Sequence, residues 1–249
     1  MNLFNTRKDN PGLQKILTAN LNKTRQRISR ALEKSSEPDR PVTLVAVSKK
    51  QPLEKILILA GNGQIHFGEN YVQEALDKME KTGEAGLKWH FIGGLQTNKA
   101  KYVAGKFSLV HSVDTLKLAQ GLHKKAKSLN LIQHILIQVN LAEETQKYGV
   151  WENDLPDLAR NILDLKHLKL DGLMVMPPFS ENPEDSRELF ARAGRLKRDL
   201  EQTLGFGMPH LSMGMSQDLE VAVEEGATLV RVGTSLLGSR LDCTPSCAP

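Results

Sequence analysis

Val42-Thr43-Leu44-Val45-Ala46-Val47-Ser48-Lys49-Lys50 passes from a continuous apolar run straight into a hydroxyl and two lysines. A strand with one wet face alternates; Leu44-Val45-Ala46-Val47 does not, and neither does Ile135-Leu136-Ile137. Strands of that kind are buried on both faces, as in a parallel sheet covered by helices. Outward from this stretch the hydrophobic period switches back and forth. Strands are predicted over residues 42–47, 64–67, 87–92, 109–112, 134–139, 168–174, 210–213 and 229–232. Helical patterns fall between them, over 53–60, 72–81, 97–103, 115–129, 155–163, 185–204 and 219–225. An amphipathic helix over 13–33 precedes them all, with Leu13, Ile16, Leu17, Leu21, Ile28 and Leu32 near one stripe.

Eight strand–helix steps in 249 residues match a single (β/α)8 TIM barrel, an α/β fold whose usual size is about 250 residues. An open doubly wound sheet is the weaker alternative, because no Gly-x-Gly-x-x-Gly follows any strand. The expected organisation is an extra N-terminal helix and lead-in over 1–41, the barrel over 42–242 and a tail over 243–249.

Lys+Arg at 33 against Asp+Glu at 29 give a net charge of +4, mixed along the chain, and aromatics are only 5%. A nucleic-acid footprint would cluster positive charge with aromatic residues; none is expected here. Cys243 and Cys247 sit in the tail without a nearby histidine, which argues against a zinc site. No apolar run follows the first charges, and none approaches the ~20 residues of a membrane span. A cytoplasmic protein without membrane contact is the expectation.

Barrel chemistry sits at the C-terminal ends of the strands. Strand one delivers Ser48, Lys49 and Lys50; strand seven delivers Ser212-Met213-Gly214-Met215-Ser216; strand eight delivers Gly233-Thr234-Ser235. The last two loops are where barrels commonly hold phosphate. A lysine carried into the barrel mouth is desolvated, and so becomes a nucleophile for carbonyl groups. Alternation does not choose between Lys49 and Lys50, since both faces of their strand are apolar. Arg231, inside Leu229-Val230-Arg231-Val232, must pair with a carboxylate or face a polar ligand. Together these residues suggest pyridoxal phosphate. A Schiff-base aldolase on a sugar phosphate needs the same lysine and phosphate site, so the two readings stay open on residue chemistry alone.

Longer stretches carry a resemblance. Phe67-Gly68-Glu69-Asn70-Tyr71-Val72-Gln73-Glu74, Trp89-His90-Phe91-Ile92-Gly93-Gly94, Lys147-Tyr148-Gly149, Leu211-Ser212-Met213-Gly214-Met215-Ser216 and Val230-Arg231-Val232-Gly233-Thr234 resemble the YggS/PROSC family of pyridoxal phosphate homeostasis proteins. The resemblance implies a fold-type III barrel like the N-terminal domain of alanine racemases, with pyridoxal 5'-phosphate held on Lys49 as an aldimine. It implies phosphate ligands at Ser212, Gly233 and Thr234, with Met213 and Gly214 close by. It also implies Arg231 facing the ring nitrogen and Asn70 beside the ring. His90 and Asn140 are expected near the mouth. Leu236-Leu237-Gly238 stands where the family usually reads Ile-Phe-Gly, an apolar swap that leaves the ligands intact. With the barrel consuming the chain, the expected role is a non-catalytic monomeric carrier in cofactor homeostasis, with pyridoxal-phosphate-dependent apoenzymes as recipients and no catalytic or metal residues. A small racemase or aldolase is the alternative.

Overall fold

In a computed structural model, residues 10–83, 85–142, 144 and 148–239 are described; the cysteine tail and Lys147 lie outside them. Among the described residues, eight parallel strands follow one another around a closed barrel. They are β1 (Thr43–Val47), β2 (His66–Glu69), β3 (Lys88–Phe91), β4 (Leu109–Val113), β5 (Gln133–Val139), β6 (Leu168–Val175), β7 (His210–Ser212) and β8 (Leu229–Val232). β1 pairs on one side with β2 and on the other with β8, where Val45 lies opposite Arg231. That seam makes the sheet a TIM barrel rather than an open sheet.

The helices are α1 (Pro11–Glu33), α2 (Leu53–Gly61), α3 (Val72–Thr82), α4 (Ala100–Val103), α5 (Leu116–Ser128), α6 (Leu155–Leu163), α7 (Arg187–Leu204), α8 (Leu219–Glu224) and α9 (Thr234–Leu237). Predicted limits shift where side chains supply what the period cannot show. Gln64 stays outside β2 because its amide donates to the Leu44 and His66 carbonyls, each at 2.7 Å. Glu69 is admitted because Ser48 Oγ and Lys78 Nζ reach its Oε1 at 2.7 and 2.8 Å. The helix expected over 97–103 divides into a 3-10 turn, Thr97–Lys99, and α4. α9 was not foreseen.

Asn10 caps α1 by accepting from the Leu13 N–H at 3.0 Å, and Pro11 occupies the first turn, where its missing N–H costs nothing. Leu17, Leu21 and Ile28 of the predicted stripe are buried, whereas Ile16 turns outward at 58% exposure. α1 is riveted to α8 and α9. Arg27 grips Glu220 of α8 with Nε and Nη2 at 2.5 and 2.7 Å, and its Nη2 also donates to the Ser216 carbonyl at 3.0 Å. Asn20 donates to the Leu236 carbonyl of α9 at 3.1 Å.

Two apolar clusters result. The larger, including Phe67, Phe91, Leu122 and Phe190, lies between sheet and helices; full burial of each such side chain contributes roughly 1.5–3 kcal/mol. The smaller consists of Val45, Leu109, Leu136, Met174 and Leu229, which strand alternation puts inside the barrel. No helix among the described residues is long and apolar enough to cross a membrane.

Candidate functional site

The inward row of β1 runs Val45, Val47 and then Lys49. It opens into a cavity of about 850 Å³ lined by the exits of β1, β2, β3, β5, β6, β7 and β8, the end where barrels carry their sites. Of the residues singled out in the sequence, Lys49, Asn70, Arg231, Gly233 and Thr234 line it.

The two lysines part at the strand exit. Lys49 continues the inward row into the cavity, whereas Lys50 is exposed and takes a left-handed backbone with φ of 55°. The chain on either side of Lys49 is gripped by α3. Lys78 Nζ donates to the Ser48 carbonyl at 2.7 Å, and Glu74 Oε1 accepts the Lys50 N–H at 2.6 Å. Lys78 also joins Glu69 and Glu74, at 2.8 and 2.6 Å. Burial pushes the Glu69 carboxyl above the usual range, while the Lys78 ammonium opposes that shift. Asn70, one residue beyond β2, has its Oδ1 buried without a hydrogen-bond partner. Gly93 is required there: an added Cβ would lie 2.4 Å from the Asn70 carbonyl oxygen.

Arg231 is 4% exposed and makes no ion pair among the described residues. Its Nη1 donates to Ser212 Oγ at 2.6 Å and its Nη2 to the Val175 carbonyl at 3.0 Å. Burial lowers its pKa to about 10, Asp218 acting in the other direction, so the guanidinium is charged at neutral pH. Ser212 is fully buried behind it and also touches His111 Nδ1 at 2.9 Å. The next two residues turn away from the cavity as well. Met213 is wholly inside the core, and Gly214 bends the chain with φ of 86°, where an added Cβ would meet Ala222 at 2.5 Å. Beyond that bend, Met215, Ser216 and Asp218 return to the cavity wall, facing Gly233, Thr234 and Ser235. Ser216 Oγ accepts the Ser235 N–H at 3.4 Å, and Asp218 Oδ1 accepts the Met215 N–H at 2.6 Å.

His90 and Asn140 do not reach the mouth. Period two points His90 into the barrel, where burial pushes its pKa down to about 3. Asn140 is buried and donates to the Glu144 carbonyl at 2.9 Å. Gln138 and Phe179, which sequence reasoning passed over, and Tyr148 and Met176, to which it assigned no role, also line the cavity. Tyr148 and Phe179 stand 60% and 78% exposed at its rim. They come from loops with no period to read. Ser216 had a signal, since it closes the Ser-Met-Gly-Met-Ser stretch.

A family model described as the alanine racemase N-terminal domain matches residues 19–241. A pyridoxal phosphate homeostasis protein of Aquifex aeolicus is 44% identical over 220 residues, covering 88% of this chain and 96% of that one. The structure of PipY from Synechococcus elongatus, solved with pyridoxal phosphate bound, superposes with a TM-score of 0.79 at 35% identity, covering 89% of this chain and all of that one. An alanine racemase of Clostridium difficile shares the fold at 16% identity and TM-score 0.71, with 94% of this chain covering 58% of that enzyme. The chain therefore belongs to the pyridoxal phosphate homeostasis protein family.

Proposed function

We propose that this protein binds pyridoxal 5'-phosphate at the barrel mouth and serves its homeostasis without turning over a substrate. One observation carries the reading: an amine, a buried guanidinium and a hydroxyl-rich pair of loops converge on one cavity. Its volume lies within the roughly 300–1,000 Å³ of small-molecule sites. The donor set fits the group. Lys49 supplies the amine for the aldehyde, and Arg231 the cation for the ring nitrogen. The unpartnered Asn70 Oδ1 supplies a polar contact beside the ring. For the phosphate, Gly233 and Thr234 stay in the ligand set and are joined by Ser216 and Ser235. Ser212, Met213 and Gly214 support them from behind.

When bound, the cofactor supplies an electron-withdrawing ring, and a cationic partner at its nitrogen leaves that nitrogen unprotonated and weakens the effect. This favours holding over turnover. The titratable side chains lining the described cavity are Lys49, Tyr148, Asp218 and Arg231, and Asp218 is occupied by the Met215 N–H. Recipients would be apoenzymes that use the same cofactor.

Visible absorption before and after borohydride, followed by peptide mass mapping, tests the site. A band trapped on Lys49 and lost completely in Lys49→Ala is expected. A colourless protein that takes up no added pyridoxal phosphate overturns the reading. Conversion of L-alanine to the D form would overturn the non-catalytic part alone.

A further inference from the structure

Beneath Arg231 the barrel interior holds a file of polar side chains that the proposed site does not use. Ser212 Oγ lies 2.9 Å from His111 Nδ1, His111 Nε2 lies 2.9 Å from His90 Nδ1, and His90 Nε2 lies 2.8 Å from His66 Nδ1. The file descends from the β7 exit through β4 and β3 to the first residue of β2. There His66 borders a second cavity, at the opposite end of the barrel, together with Arg25, Gln64 and Thr43. His90 and His111 are buried, and burial holds both imidazoles neutral, pushing them far below the ordinary histidine range.

A neutral imidazole has one donor and one acceptor nitrogen. Arg231 can only donate, so Ser212 Oγ must accept from it, and the Ser212 proton has to go elsewhere. His111 Nδ1 is the acceptor within reach, which puts the His111 proton on Nε2. That proton makes His90 Nδ1 an acceptor, and the same step repeats at His66. A reversed file would point His111 Nδ1–H and the guanidinium at one hydroxyl and leave the buried Ser212 O–H without a partner, costing roughly 1–3 kcal/mol.

We propose that Arg231, Ser212, His111, His90 and His66 form one directional hydrogen-bond chain, with all three histidines protonated on Nε2, and that His111 is a positioning residue that keeps Arg231 aimed at the cavity. The histidine tautomers follow from the geometry alone; the consequence for the cofactor rests on the function proposed above.

Two measurements separate these parts. Two-bond nitrogen–proton correlation spectra of the intact, histidine-labelled protein read the tautomers directly. All three resonances are expected in the Nε2–H pattern, and an Nδ1–H form at His66, His90 or His111 overturns the chain. His111→Leu removes the acceptor, whereas His111→Asn keeps one where Nδ1 stood. Far-ultraviolet circular dichroism establishes that both are folded. His111→Leu should then weaken retention of added pyridoxal phosphate about tenfold, the worth of one hydrogen bond, and move the visible maximum; His111→Asn should restore both. If both variants match the unsubstituted protein, or both lose the cofactor equally, the positioning role is wrong. If the unsubstituted protein takes up no pyridoxal phosphate, the proposed function fails, and the tautomers still decide the chain.

Discussion

The two faces of the same eight strands are built from different chemistry. Outward, Phe67 and Phe91 of the strands pack with Leu122 and Phe190 of the covering helices in one continuous apolar layer. Inward, the apolar filling shrinks to Val45, Leu109, Leu136, Met174 and Leu229, and His90, His111, Ser212 and Arg231 take the remaining room, all buried. The outer layer supplies the hydrophobic stabilisation a fold needs, which lets the inner face carry polar groups that need partners to be tolerated at all. Each residue step along a strand therefore alternates between stability and chemistry.

Emptying the outer layer should produce the largest effect on stability. Phe190→Ala removes a fully buried ring and should cost about 3–5 kcal/mol in urea unfolding. At saturating pyridoxal phosphate its visible spectrum should stay as it was. A shifted maximum would break the division between the faces.

Acid probes the inner face next. His90 and His111 are held neutral in the fold, His90 down to about 3, and they protonate near 6.5 once unfolded. Between those values the unfolded chain binds more protons, so stability falls as pH falls below 6.5. His90 contributes about 1.4 kcal/mol per pH unit in that window, and His111 adds to the slope in the same direction. Urea unfolding from pH 7 to pH 4 should show a shallower slope in His111→Asn, and equal slopes would sink the assignment.

The smallest effect sharpens the boundary between the faces. Arg27 and Glu220 are partly exposed, at 24% and 39%, so Arg27→Ala should cost under about 1 kcal/mol of stability. Arg27 also holds the Ser216 carbonyl. Retention of pyridoxal phosphate in dialysis should drop by more than the stability loss would suggest; a proportionate drop would make the contact purely structural.

The alternation between faces explains what could be read from the sequence. Parallel order, element count and the exits of Lys49, Asn70, Arg231, Gly233 and Thr234 were legible, because period two and strand ends leave local marks. That Ser216 and not Ser212 lines the cavity was not, because it depends on one left-handed bend at Gly214 that is packed against Ala222. The histidine file was equally hidden. His66, His90 and His111 lie in separate segments of the chain; the pairing of β2, β3 and β4 brings them together, and closure of the barrel sets Ser212 of β7 against them. Tyr148 and Phe179 reach the cavity through loops whose course no periodicity records.

The grip of α3 on the chain around Lys49 has a consequence for the cost of binding. Lys78 and Glu74 immobilise the backbone on both sides of that residue when the protein folds, fixing torsions worth roughly 1–2 kcal/mol per residue in conformational entropy. An attachment point anchored in advance leaves only its side chain to rearrange when a ligand arrives. Preorganisation of this kind raises affinity without a single added contact.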